Sequence, residues 1–240
     1  MKIAMLRVGI DSGSGGIQGP LFKDASFEFI PIPDGFEKHG VDERTYGNTV
    51  GLKNRKLIEY FPASRRMAMT DQAIHSDPEF VSFTYGDPTS PKAGLRRLDK
   101  GDMLIFYCGL EGWGHISDPA LYLIGYFEVQ AAGRPDDFGD ERTKKLFAKN
   151  FHVRHPQVFA RQRDKLVLVK GSARSRLLRK AVCMSVMGSD RMGKPLKVLS
   201  PKMQKIFGTF DGKLSFQRSP TRWVDPGYVE RAAKFMRSRS

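Results

Sequence analysis

Cysteine is almost missing from this sequence: Cys108 and Cys183 are the only two in 240 residues, and no CxxC pair occurs. That excludes a disulfide framework and a thiolate-rich zinc centre. Long apolar runs are missing too. The apolar opening stretch is cut by Arg7, no small-residue cleavage site follows, and nothing approaches the roughly 20 residues of a membrane span. The expectation is a cytoplasmic protein with no membrane partner. Repeats, low-complexity tracts and a clean linker are also lacking. Residues 1–240 are therefore expected to form one unit, with Ala131 to Asp137 the best place for a sub-boundary before a basic C-terminal portion. Acidic residues are scarce in that portion only. Residues 151–240 hold 21 Lys and Arg against 5 Asp and Glu, whereas residues 1–150 hold 19 against 21.

The net charge of +14 is thus segregated along the chain. A polyanion is the natural partner of such a surface, because each neutralised phosphate releases condensed counterions. Nucleic acid, with DNA favoured, or a nucleotide is the expected partner. A hydrophobic content of 40% and an aromatic content of 11% are those of a folded chain able to close a sizeable core.

Periodicity predicts strands at Lys2–Ile10, Ser26–Ile32, Asp102–Tyr107, Leu121–Val129, Lys165–Lys170 and Ala181–Met187, with a short one at Leu214–Gln217. An amphipathic helix is predicted over Asp140–Asn150, and a terminal helix from Pro226 to about Met236. Residues 34–100 carry turn residues and little periodicity, and long irregular stretches in a domain are usually functional. Strands joined by irregular loops lack the alternating βαβ rhythm of a parallel sheet. The fold class expected is α+β, a curved, barrel-like mixed sheet with peripheral helices.

Asp11-Ser12-Gly13-Ser14-Gly15-Gly16 follows the first strand, as a phosphate-binding loop would. No Gly-Lys-Ser/Thr follows, and Gly13, Gly15 and Gly19 miss the GxGxxG spacing. Gly13, Gly15 and Gly16 therefore mark either a ligand-contacting loop or a sharp turn. Arg174, Arg176, Arg179 and Lys180 cluster, and Arg218 and Arg222 lie beside Phe216 and Trp223. Guanidinium groups grip phosphate and stack on bases, so these six suit a backbone-tracking groove, with Trp223 as a stacking candidate. His152 and His155 share a helical face if the helix continues. No HExxH or similar pattern accompanies them, so neither a metal nor a cofactor is expected. His152 with Asp11 or Asp87 can serve in proton transfer, since imidazole titrates near neutrality. Cys108, at a strand end, reads as a small buried hydrophobe.

Leu98-Asp99-Lys100-Gly101-Asp102-Met103-Leu104-Ile105-Phe106-Tyr107, answered by Leu123-Ile124-Gly125-Tyr126-Phe127-Glu128-Val129, resembles the barrel core of the PUA, ASCH and EVE group of nucleic-acid-binding domains. That resemblance implies a pocket beside the two strands that holds a base, with Trp113 of the intervening loop as its stacking face and His115 as a hydrogen-bonding edge. Over the whole chain the sequence resembles the nucleotide modification associated domain 3 family. The matching stretches are Leu6–Gly16 with Gly19-Pro20, Phe83–Pro88 with Leu95–Leu98, Gly101–Leu110, Phe151–Arg154 and Ser219–Trp223. The family resemblance implies a setting among phage and bacterial DNA base-modification systems without fixing a reaction.

Two functions follow. One is a module that binds DNA or a nucleotide, with a modified base in a barrel pocket and phosphates on the basic C-terminal surface. The other is an enzyme acting on a nucleobase or nucleotide, with Asp11, Asp87 and His152 as acid–base residues. Convergence of those three in one pocket favours the enzyme.

Overall fold

Apolar runs without polar interruption, such as Met103-Leu104-Ile105-Phe106-Tyr107, belong to strands covered on both faces. The computed structural model, which describes residues 1–36, 40–216 and 220–239, has such a sheet at its centre. The strands are β1 (Ile3–Arg7), β2 (Gly19–Leu21), β3 (Ile32–Pro33), β4 (Ile74–His75), β5 (Thr84–Asp87) and β6 (Met103–Gly112). They continue with β7 (Ala120–Gly133), β8 (Val167–Gly171), β9 (Arg176–Cys183), β10 (Ser185–Ser189), β11 (Pro195–Leu199) and β12 (Arg222–Trp223). The helices are α1 (Ala63–Met69), α2 (Pro135–Phe138), α3 (Asp140–Leu146), α4 (Phe151–Arg154), α5 (Pro156–Gln162), α6 (Pro201–Phe207) and α7 (Val229–Arg237). None of them is long and apolar enough to cross a membrane, among the described residues.

The main sheet runs β12-β1-β6-β7-β8-β5, with β2 added on β6 and β9 on β7. It is mixed: β1 and β2 lie parallel to β6, and the remaining pairs are antiparallel. Strand alternation divides the core. Ile3, Met5, Met103, Ile105 and Tyr107 face α6 and α7 through Met203, Phe207, Ala232 and Met236. Ala4, Leu6, Leu104, Phe106 and Cys108 face the other way, onto Phe27, Tyr85, Leu95 and Leu98.

The sheet therefore corrects one expectation. It does not close into a barrel among the described residues: β12 and β5 end the path and do not pair. Separate layers cover both faces, so closure is not needed to bury them. Curvature enters through β7, which pairs with β9 and then β8 along one edge, with register shifts at Leu123/Gly125 and Val129/Ala131.

Other expectations shift in detail. The Ser26–Ile32 stretch makes only an isolated bridge from Phe27 to Leu21 before β3. The helix expected to reach Asn150 stops at Leu146. The Ala131–Asp137 stretch starts inside β7, where Ala131 to Gly133 pair with β8. The strand end at Gln217, together with Arg218 and Ser219, lies outside the described residues. A third core cluster of Ile10, Ile30, Tyr46, Leu57, Tyr60, Phe61 and Ile74 lies under the irregular 34–100 stretch and supports β4.

Candidate functional site

Where β1 ends, the chain turns away from the sheet. Gly9 permits the turn: its φ is +75°, and a Cβ there would fall 2.9 Å from the Phe29 ring and 3.2 Å from the Ile30 carbonyl oxygen. The glycine-rich loop that follows is folded on its own aspartate. Asp11 Oδ1 accepts from the amides of Gly13 (2.8 Å) and Ser14 (2.9 Å) and from the Ser14 hydroxyl (3.0 Å). Asp11 Oδ2 pairs with Arg7 Nη2 at 3.0 Å. The Gly13 and Ser14 amides are thus spent on the loop itself. A Cβ on Gly15 would collide with Ile10, and one on Gly16 with the Arg65 guanidinium.

Across from this loop, β5 delivers Asp87, whose Oδ1 accepts from the Thr89 amide (2.7 Å) and hydroxyl and whose Oδ2 accepts from Tyr85 Oη (3.0 Å). The buried Lys92 stands near; burial pushes its ammonium pKa down and Asp87 opposes that. A cavity of about 370 Å³ separates the two walls, and Arg7, Asp11, Asp87, Lys92 and His152 line it. The three acid–base candidates, far apart in sequence, therefore share one cavity.

Sequence reasoning missed the two residues that complete its floor. His75 leaves β4, and Asp77 follows two positions on. His152 Nε2 lies 3.2 Å from His75 Nε2 and 3.3 Å from Asp77 Oδ2, and the third edge, His75 Nε2 to Asp77 Oδ2, is 3.9 Å. Their side chains keep 18%, 5% and 3% exposure for His75, Asp77 and His152. His152 is held from behind: its Nδ1 donates to Gln162 Oε1 at 2.6 Å, and its backbone amide donates to Asn150 Oδ1 at 3.1 Å. Asp77 accepts from the Gly86 amide at 3.1 and 2.9 Å. Phe151 stacks on the His75 ring, centroids 3.9 Å apart. The available signal was His75-Ser76-Asp77, since residues two apart in extended chain face the same way.

Electrostatics mark this group as unusual. Burial pushes the Asp77 carboxyl up to about 6, with His152 opposing the rise. Burial pulls His152 down, but the hydrogen bond and charge of Asp77 outweigh it and leave the imidazole raised. Burial, then the neighbouring His152, hold His75 well below the ordinary imidazole range. Shifted titratable groups gathered in a cleft are the usual mark of a reactive centre.

The remaining candidates lie elsewhere. His155 does not join His152: α4 ends between them, and His155 Nε2 turns to Asp42 Oδ2 at 3.5 Å. Trp113 packs edge-on against Tyr60 (5.2 Å) beside a second cavity of about 380 Å³ that includes Arg66. Trp223 pairs with Ala4 in the sheet and carries Arg97 over its ring at 5.0 Å. Arg174 Nε and Arg237 Nε both grip the buried Glu128, at 2.7 and 2.6 Å, beside Arg176 in a shallow cavity of about 490 Å³. Arg176 Nη1 donates to the Ala173 and Ser175 carbonyls. Arg222 Nη2 donates to the Ser215 carbonyl at 3.0 Å, with the guanidinium over Phe216. Arg179 and Lys180 are exposed on β9, and Arg218 lies outside the described residues. Cys108 is buried, and burial pushes its thiol up, away from the thiolate a nucleophile needs.

Comparison with known proteins gives one finding. The family model described as nucleotide modification associated domain 3 matches residues 2–238. No curated protein and no solved structure matches the chain.

Proposed function

The chain belongs to the nucleotide modification associated domain 3 family, and from that premise we propose that it is an enzyme modifying a nucleobase or nucleotide in the cavity floored by His75, Asp77 and His152. The observation that carries this reading is convergence. Asp11, Asp87 and His152, named from the sequence for their chemistry, line one cavity and meet there a buried carboxylate and a second imidazole.

The roles differ from residue to residue. Asp11 and Asp87 are saturated by their own loops, so they position Arg7 and bias Lys92 rather than move protons. Arg7 and Lys92 add positive charge to the wall, suited to a phosphate or a base carbonyl. The reactive groups fall at the floor, where the Asp77 carboxylate and the His75 and His152 imidazoles converge within 3.9 Å of one another. The exposed Arg179 and Lys180 supply phosphate contacts of a longer DNA substrate.

A second reading keeps the cavity but drops the chemistry. A module that recognises a modified base, as the PUA and EVE likeness of β6 and β7 suggests, is favoured by the saturated hydrogen bonding of Asp11 and Asp87.

The experiment is chemical. Purified protein is incubated with single-stranded DNA, duplex DNA and nucleotides, the products are digested to nucleosides, and masses are compared. A new species is expected, and Asp77→Asn and His152→Gln abolish it. Recovery of every substrate unchanged, with a nucleotide still bound, establishes the second reading instead.

A further inference from the structure

We infer that His75, Asp77 and His152 are a binding site for one divalent first-row transition-metal ion. The inference rests on reading this cavity as the reactive centre, though its test needs no substrate.

Three lone-pair donors converge there. His152 Nδ1 donates to Gln162 Oε1, so the neutral ring presents its Nε2 lone pair to the cavity. That lone pair meets His75 Nε2 at 3.2 Å and Asp77 Oδ2 at 3.3 Å. A single proton bridges only one of these pairs at a time and leaves two acceptors facing each other across the remaining edge. An ion satisfies all three at once.

The spacing fits. Ligand atoms about 2.1 Å from a metal stand about 3.0 Å apart at a right angle and about 3.4 Å apart at the tetrahedral angle. Two of the three edges, 3.2 and 3.3 Å, already fall in that range. The third, 3.9 Å between His75 Nε2 and Asp77 Oδ2, needs to close by about 0.5 Å to reach the tetrahedral spacing.

The surroundings are those of a supported site. Metal-bound imidazoles are commonly oriented through their other nitrogen, and ligating carboxylates are themselves hydrogen-bonded. Gln162 does the first for His152, and the Gly86 amide does the second for Asp77. Two imidazoles and one carboxylate select a transition ion over calcium or magnesium, which take oxygen ligands. All three residues line the cavity, so the coordination positions they leave open face the space where a substrate enters.

The full-length protein, stripped with a chelator, is titrated with Co(II) and Zn(II) by calorimetry, and bound metal is counted by elemental analysis. One ion per chain is expected, with millimolar Ca(II) failing to displace it. The Co(II) form is expected to show a visible absorption band. Gln162→Leu, outside the ligand set, is expected to weaken binding about 10–100-fold. His75→Ala, Asp77→Ala and His152→Ala are expected to weaken it further, with circular dichroism confirming that each folds. If a ligand variant fails to fold, the wild-type band and the Gln162→Leu comparison decide. Absence of binding to the folded wild-type protein, equal displacement by Ca(II), or affinity unchanged in folded Asp77→Ala and His152→Ala overturns the site. Because none of these readouts involves a nucleotide, a metal-bound protein that leaves every substrate unchanged refutes the enzymatic reading alone.

Discussion

Gly86 shows how one missing side chain shapes the centre. A Cβ at this position would lie 2.9 Å from both Asn150 Oδ1 and His152 Cδ2 and 3.2 Å from Leu168 Cδ2. His152 and Asn150 are buried and have nowhere to retreat. Gly86→Ala is expected to cost about 1–3 kcal/mol in urea unfolding, the usual range for overpacking, and to lower the activity proposed for this cavity by displacing the His152 ring. Asp42 acts one step further out. Its side chain, with no exposed surface, accepts from Arg44 Nε and Nη2 at 3.1 and 2.8 Å and lies 3.4 Å from Arg154, anchoring the helix that carries His152. Burial pushes the Asp42 carboxyl up, but the Arg44 hydrogen bonds outweigh burial and leave it below its ordinary value. A carboxyl lowered on folding contributes its stability above the unfolded value, about 3.9, and loses it as pH falls through the folded one. Asp42→Asn is therefore expected to cost about 1.5–3 kcal/mol at pH 7. The gap from wild type in chemical unfolding should shrink once the pH drops below about 4; a gap that stays constant down to pH 2 would contradict this assignment.

At the scale of elements, α7 demonstrates what a sequence makes plain. Pro226 opens the approach to it, and Val229, Ala232, Ala233 and Met236 fall at the i, i+3, i+4, i+7 spacing and are buried against the sheet. Met236 is fully buried, so Met236→Ala is expected to cost about 2–5 kcal/mol in thermal or urea unfolding, with no change in the cavity on the opposite face. The strands β1, β6, β7 and β8 were legible for the same reason: burial on both faces leaves an unbroken apolar run. β9 was legible only at its end: the strand predicted over Ala181–Met187 takes in Ala181 to Cys183. Arg176, Arg179 and Lys180 read as a basic segment although the strand starts at Arg176 and pairs with β7, and main-chain pairing leaves little trace in side-chain chemistry. The helix expected over Asp140–Asn150 breaks because Phe147 leaves helical geometry and Asn150 caps a new helix by accepting the His152 amide. The site divides similarly. Asp11, Asp87 and His152 stood out by residue type and by neighbouring turns. His75 and Asp77 did not, because their meaning depends on contact with a residue more than seventy positions away, and that contact exists only once β4 and α4 have packed around Phe151.

For the molecule as a whole, the excess of positive charge lies in residues 151–240. The basic portion does not stay apart from the centre: Lys197 of β11 feels Arg7 and Asp11, and burial followed by the Arg7 charge pushes its ammonium down. Arg179, Lys180, Arg191 and Lys194 are exposed and available to a polyanion. Arg174 is a poorer probe, because it neutralises the buried Glu128 and its reversal would confound folding with binding. If the cavity takes a base from a DNA strand whose phosphates lie on this surface, affinity for DNA must carry a counterion signature that affinity for a single nucleotide lacks. The logarithm of the duplex binding constant is expected to fall by about 0.9 per contacted phosphate for each unit in the logarithm of salt concentration. Arg179→Ala with Lys180→Ala is expected to reduce that slope by about 2, roughly one for each cation, alike on every sequence. Mononucleotide binding in the cavity should be unaffected by the pair. Titrations by fluorescence anisotropy between about 50 and 200 mM salt resolve the difference, because several contacts together change affinity by orders of magnitude over that range. A slope unchanged in the folded double variant would detach the basic surface from DNA and leave the cavity as a site for free nucleotides.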